Sequence, residues 1–127
     1  MISTNVFAKW TRFGDSTDGA TTVYIDFETI KKKGHKVKIW SLMDFKTVQK
    51  PPSGTKYLST LSHDEYDCEE ETNRMLDLYS YSRSMGQGEI VYSSTNIKNE
   101  AESILPGSIA EGLLKLACGK KWKQYQK

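Results

Sequence analysis

The sequence predicts an α+β domain in which a six-stranded antiparallel sheet is followed by one C-terminal helix. Three observations carry that prediction. Short runs rich in β-branched and aromatic residues recur with turn clusters between them, the pattern of hairpin-connected strands. No linker, repeat or low-complexity stretch divides the 127 residues, and such a length suits one domain that buries its own core. Only after Pro106-Gly107 does the apolar spacing change from alternation to a helical arc.

The first strand is expected over residues 6–13, where Val6, Ala8 and Trp10 stand against Lys9 and Arg12. Gly14-Asp15-Ser16-Thr17-Asp18-Gly19 reads as a turn, because Gly and Asp tolerate the backbone angles that turns need. Residues 21–27 form the second strand, followed by a short helical turn at Glu28-Thr29-Ile30. Lys31-Lys32-Lys33-Gly34 reads as a polar connection. Residues 37–45 give the clearest alternation, with Val37, Ile39, Met43 and Phe45 on one face and Lys38, Trp40, Leu42 and Asp44 on the other.

Pro51-Pro52-Ser53-Gly54 breaks the chain into a loop. Residues 56–67 and 72–82 supply the fourth and fifth strands, the latter placing Met75, Tyr79 and Tyr81 against Leu76 and Leu78. Gly86 to Gly88 turns the chain into a short sixth strand at 89–93, and 95–105 reads as a surface loop. Ser108 and Glu111 form a capping box, each side chain satisfying an orphan amide at the start of a helix. From there Ile109, Ala110, Leu113, Leu114, Leu116 and Ala117 cover one apolar arc, with Cys118 at its edge and Gly119 as the cap. The ordered core is expected over about residues 6–119, with 120–127 a basic tail.

Composition excludes several classes of function. Apolar residues make up 37% and aromatic residues 11%, with seven Tyr and three Trp, enough core for a folded sheet and too much for a disordered chain. A net charge of +2, from 18 basic and 16 acidic residues, is too near neutral for a nucleic-acid footprint. No apolar run approaches the roughly 18 residues of a spanning helix. Met1 to Asn5 has no apolar core of an export signal. Two readings follow: a cytosolic protein, or one whose signal has been removed ahead of Met1. The two cysteines lie fifty positions apart, with no CxxC and no His at metal spacing, and are equally compatible with a disulfide and with two buried thiols.

Each chemical motif has a plain structural counterpart. His63, Glu65 and Asp67, leading into Glu69-Glu70-Glu71, could share a strand face as a cation site. No glycine-turned ligand loop follows, so a solvated strand end and hairpin is favoured. Asp15, Asp18 and Gly19 lack the carboxylate spacing of a calcium loop. Lys31-Lys32-Lys33-Gly34-His35-Lys36 is the densest basic cluster, suited to a sulfated glycan or an acidic protein surface, against a solvated hairpin tip. Lys120, Lys121, Lys123 and Lys127 make a second. Gly86-Gln87-Gly88 precedes no helix and so is no nucleotide loop, and capping accounts for Ser108. No catalytic set assembles. Most aromatics belong to the pleat, leaving Trp122 and Tyr125 beyond the helix cap as interface candidates.

Taken together, several segments resemble the bacterial surface-adhesin protein E family, over about Trp10 to Cys118. The carriers are Val23-Tyr24-Ile25-Asp26 with Thr29-Ile30; Val37-Lys38-Ile39-Trp40 with Leu42 and Asp44; Tyr57-Leu58-Ser59; Asp67-Cys68; and Arg74. Tyr81-Ser82 with Met85-Gly86-Gln87-Gly88, then Val91-Tyr92-Ser93-Ser94, are the most diagnostic. Pro106-Gly107-Ser108-Ile109-Ala110-Glu111 and Cys118 complete the series. The resemblance implies an exported domain at the periplasm or outer-membrane surface, with the signal removed. It implies a helix packed on one sheet face and tethered by a disulfide between Cys68 and Cys118. It also implies a non-enzymatic adhesin, without cofactor or metal, that binds extracellular-matrix proteins such as laminin or vitronectin and can form a homodimer. The alternative is an envelope assembly module with a bacterial partner. No family binding motif transfers residue by residue; Lys31, Lys32, Lys33 and Lys36 are the nominated ligand-binding residues.

Overall fold

The computed structural model describes residues 9–52 and 54–124, the last five as backbone only. The expected Val6 and Ala8 positions, and the side chains of the basic tail with Trp122 and Tyr125, lie outside the described residues.

The main sheet is antiparallel with six strands in the order β1 (Thr11–Asp15), β2 (Thr21–Ile25), β4 (Lys36–Gln49), β5 (Tyr57–Asp67), β6 (Thr72–Tyr81) and β7 (Ile90–Ser94). Two short strands extend it: β3 (Lys31–Lys33) pairs with the start of β4, and β8 (Glu102–Ser103) pairs with β6. Helix α1 (Ile109–Gln124) packs on one face.

The packing follows from alternation. Val37 and Ile39 on β4, Ile25 on β2 and Tyr66 on β5 point to one face and meet Leu113, Leu114, Ala117 and Cys118 of the helix; all are buried. The capping box forms with one difference. Ser108 Oγ accepts the Glu111 amide at 3.2 Å, but Glu111 Oε1 reaches back to the Gly107 amide at 2.9 Å rather than to Ser108. Gly119 interrupts the helical path with a positive φ of 55°, an angle that glycine adopts without a Cβ clash. Cys118 is 1% exposed, so it lies inside the apolar arc rather than at its edge. It is joined to Cys68, at the start of the β5–β6 turn, by a disulfide with Cα atoms 5.7 Å apart. The bridge ties the end of the helix to the sheet.

Several expectations need correction. The first strand runs later than expected, to Asp15, with a register irregularity around Phe13. Lys31–Lys33 is a strand, not a connection. The β7 and β8 region shows the same effect: residues 102–103 pair with Thr72 and Asn73 instead of staying in a loop. Most consequential is a bulge on β6. His63 pairs with Asp77 and Asp64 with Met75, so Leu76 has no partner. Met75 therefore lies on the opposite face from Tyr79 and Tyr81, not with them.

The helix-bearing face also buries a carboxyl. Asp64 is 7% exposed and accepts a 2.7 Å hydrogen bond from Ser62 Oγ. Burial pushes the Asp64 carboxyl above its ordinary range, outweighing the lowering effects of the Ser62 hydroxyl and of His63. A group whose folded pKa is raised holds its proton more firmly folded than unfolded. Stability therefore falls as pH rises from the unfolded value through the folded one, and below both values the group contributes nothing. Asp64→Asn keeps an acceptor for Ser62 and removes the charge. It should raise the melting temperature by a few degrees at pH 7 and leave it unchanged near pH 3, as read by circular dichroism at both pH values. A gain that is equal at both pH values would disprove the charge-burial account.

Candidate functional site

The face opposite the helix carries two distinct features. The first is a pinned turn. Leu42 points to this face and is fully buried there, covered by the 3-10 turn Ser84–Gly86. Asp44 and Ser59 stand opposite each other on β4 and β5 and hold the turn down. Asp44 Oδ1 accepts the Met85 amide at 2.7 Å. Ser59 Oγ donates to the Arg83 carbonyl at 2.6 Å and accepts the Gly86 amide at 2.9 Å. Met85 is held at φ 57° and Gly86 at φ 70°, left-handed angles that only such fixation sustains at a methionine. A Cβ at Gly88 would clash with Ser82 Oγ. The Gly86-Gln87-Gly88 motif thus closes a turn.

The second feature is basic. In the β3–β4 hairpin, Lys31 pairs with Lys38 and Lys33 with Lys36 across a Gly34-His35 turn, with Gly34 at φ 64°. Alternation puts Lys31, Lys33, Lys36 and Lys38 on the open face, while Lys32 lies opposite Val37 and belongs to the other face. Lys31, Lys32, Lys33, Lys36 and Lys38, with Glu65, line a depression of about 520 Å³. Among the described residues no carboxylate stands within ion-pair distance of these five amines. Glu65 and Asp67 stand opposite Lys38 and Lys36 on β5 but make their closest contacts elsewhere, and after the His63 hydrogen bond the Lys38 charge helps to hold the Asp77 carboxyl down. Glu65 pairs with Arg74 at 3.4 Å. Asp67 lies 3.6 Å from His35 and caps the Glu69 and Glu70 amides at 3.0 Å.

One row along the sheet, about 7 Å away, Trp40 pairs with His63 and His63 with Asp77. The Trp40 and His63 rings stack in parallel, centroids 4.2 Å apart and planes 2° apart. His63 Nδ1 lies 2.8 Å from Asp77 Oδ2, and Asp77 Oδ1 accepts the Asn96 amide at 3.0 Å. The His63 hydrogen bond, with the Asn96 amide second, holds the Asp77 carboxyl below its ordinary range. Tyr79 extends the aromatic group, its ring centroid 6.3 Å from that of Trp40.

The nominated lysines are thus brought together, with Lys32 out of phase. Lys38 belongs with them, and β4 alternation alone would have found it. His63, Glu65 and Asp67 do share a face, but each has a different partner, and among the described residues no three His, Cys, Asp or Glu side chains converge as metal ligands. Asp15 pairs with Arg12, and Asp18 accepts the Ser16 hydroxyl and the Ala20 amide, so both serve the β1–β2 turn. No described helix is long and apolar enough to cross a membrane.

The family model described as Surface-adhesin protein E matches residues 10–119. The fold is similar to that of Haemophilus influenzae protein E, at 16% identity and a TM-score of 0.62, covering 97% of this chain and 93% of that one. A selenomethionine form of that protein aligns at 15% identity and a TM-score of 0.61, covering 98% and 96%. A second crystal form gives 15% and 0.59, covering 85% and 87%. No curated protein sequence matches the chain.

Proposed function

The chain belongs to the surface-adhesin protein E family, and from that membership we propose that it is an exported, non-enzymatic domain of the bacterial envelope that binds extracellular-matrix proteins such as laminin or vitronectin. The observation that carries a binding role is the strip of amines on the open sheet face, none of them within ion-pair distance of a carboxylate among the described residues. Such a cluster raises the local concentration of anionic partners and steers their approach. The disulfide supports export, since structural bridges persist in oxidising compartments. A panel of immobilised matrix proteins tests the reading. Lys31→Glu with Lys36→Glu should weaken capture at least tenfold at physiological salt, and absence of capture by the unaltered protein would end the matrix-binding proposal.

A second reading, an envelope assembly module, is favoured by edge strand β7, where Ile90 and Tyr92 are 54% and 55% exposed. Exposed edges pair readily with another chain, whether an envelope protein or a second copy. Cell-envelope crosslinking from cysteines placed at Glu89 and Ser93 should recover that partner, and recovery of none would count decisively against the assembly role.

A further inference from the structure

We infer that the open face around the β3–β4 hairpin is a binding site for a sulfated polysaccharide chain, with Lys31, Lys33, Lys36 and Lys38 as anion contacts and Trp40 as a sugar-stacking plate. The inference rests on the lysine-face reading above and names the ligand class.

Three observations favour this chemistry. The four cations form two cross-strand pairs on paired extended strands, so they recur about every 7 Å along the strands. That arrangement suits a linear polymer with spaced anions better than one compact anion. The available donors are ammonium groups, point charges that accept an oxyanion from many directions. Arg74, which would offer the bidentate fork matched to carboxylates, is taken by Glu65. An acidic peptide is therefore the poorer fit. Finally, Trp40 follows Lys38 by two positions on the same strand and face. Its ring is fixed against His63, which Asp77 anchors in turn. A fixed aromatic plate beside a row of amines is what a pyranose chain can use through its C–H face and its sulfates together. A polyphosphate or polyglutamate would use only the amines.

The test measures binding of the full chain to heparin and to polyglutamate of similar length, by calorimetry, across a salt series. Heparin should bind several-fold more tightly, with affinity falling steeply as salt rises. Lys31→Glu with Lys33→Glu, both on an exposed hairpin, should cut heparin affinity at least tenfold. Trp40→Ala should cut it about fivefold and leave polyglutamate binding unchanged, while Trp40→Phe should restore most of the heparin loss. Equal binding of the two polymers, or equal loss of both on Trp40→Ala, would overturn the sugar-specific site. Failure to bind heparin while matrix proteins are still captured through the lysines would refute this inference alone. Heparin and matrix binding both indifferent to the lysine variants would refute it together with the site reading it rests on.

Discussion

Cys68→Ser is expected to lower the melting temperature by roughly 10–15 °C. The bridge closes a loop between positions fifty apart, and removing such a closure frees unfolded-chain entropy worth about 4 kcal/mol. A domain of this size has an unfolding entropy near 0.27 kcal/mol/K, which converts that loss to the stated shift. Three further results are expected. Cys118→Ser matches Cys68→Ser, because they remove the same bond. The double variant is no worse than either single one. Reductant lowers the unaltered protein to the same midpoint and leaves the variants unmoved. The helix should still form, since its cap and its Leu113, Leu114 and Ala117 contacts remain, but it should lose protection from amide exchange before the sheet does. A shift below about 3 °C would contradict this account.

Ser59→Ala is expected to cost about 2–4 kcal/mol, far more than an ordinary serine truncation. Its hydroxyl is fully buried and does two tasks, donating to the Arg83 carbonyl and accepting the Gly86 amide. Alanine leaves both backbone groups without a partner in a dry site, and each stranded group costs about 1–3 kcal/mol. The turn that covers Leu42 should loosen with it. Asp44→Asn provides the control: it keeps an acceptor for the Met85 amide and should cost less than half as much. Urea denaturation reads both. A Ser59→Ala cost under about 1 kcal/mol would mean that water replaces the hydroxyl at both contacts.

The bridge and the pinned turn also separate what was legible in the chain from what was not. Sheet class, the six main strands and helix position were legible, because alternation and capping are local signals. Most main strands fall within a few residues of expectation, and Ser108 caps the helix as its spacing predicts. β3 was not legible. Lysines are poor strand formers, and Lys31–Lys33 is extended only because the start of β4 offers it a ladder. Face assignment on β6 failed for a different reason. The bulge at Leu76 arises from how β5 and β6 pair, and it shifts every side chain on one side of it to the other face. The diagnostic Met85-Gly86-Gln87-Gly88 run carried no sign of its task, since its partners Asp44 and Ser59 lie more than twenty-five residues away.

The candidate site divides in the same way. The lysine cluster stands out in the sequence because four of its members are nearly contiguous. That Lys38 joins it and Lys32 points away follows only from the hairpin register. Trp40, His63 and Asp77 come from three strands and meet because antiparallel pairing sets them in one row.

By itself, then, the sequence determined the class of fold, the helix and its cap, and the presence of a basic cluster, all of which depend on neighbours within a few residues. Tertiary structure alone decided how Cys118 is buried, which lysines share a face, what the glycine-rich turn is pinned to, and that an aromatic plate stands beside the amines. Those features depend on strand register, and register is set by how the whole sheet buries one face under the helix, a long-range energy that no local pattern encodes.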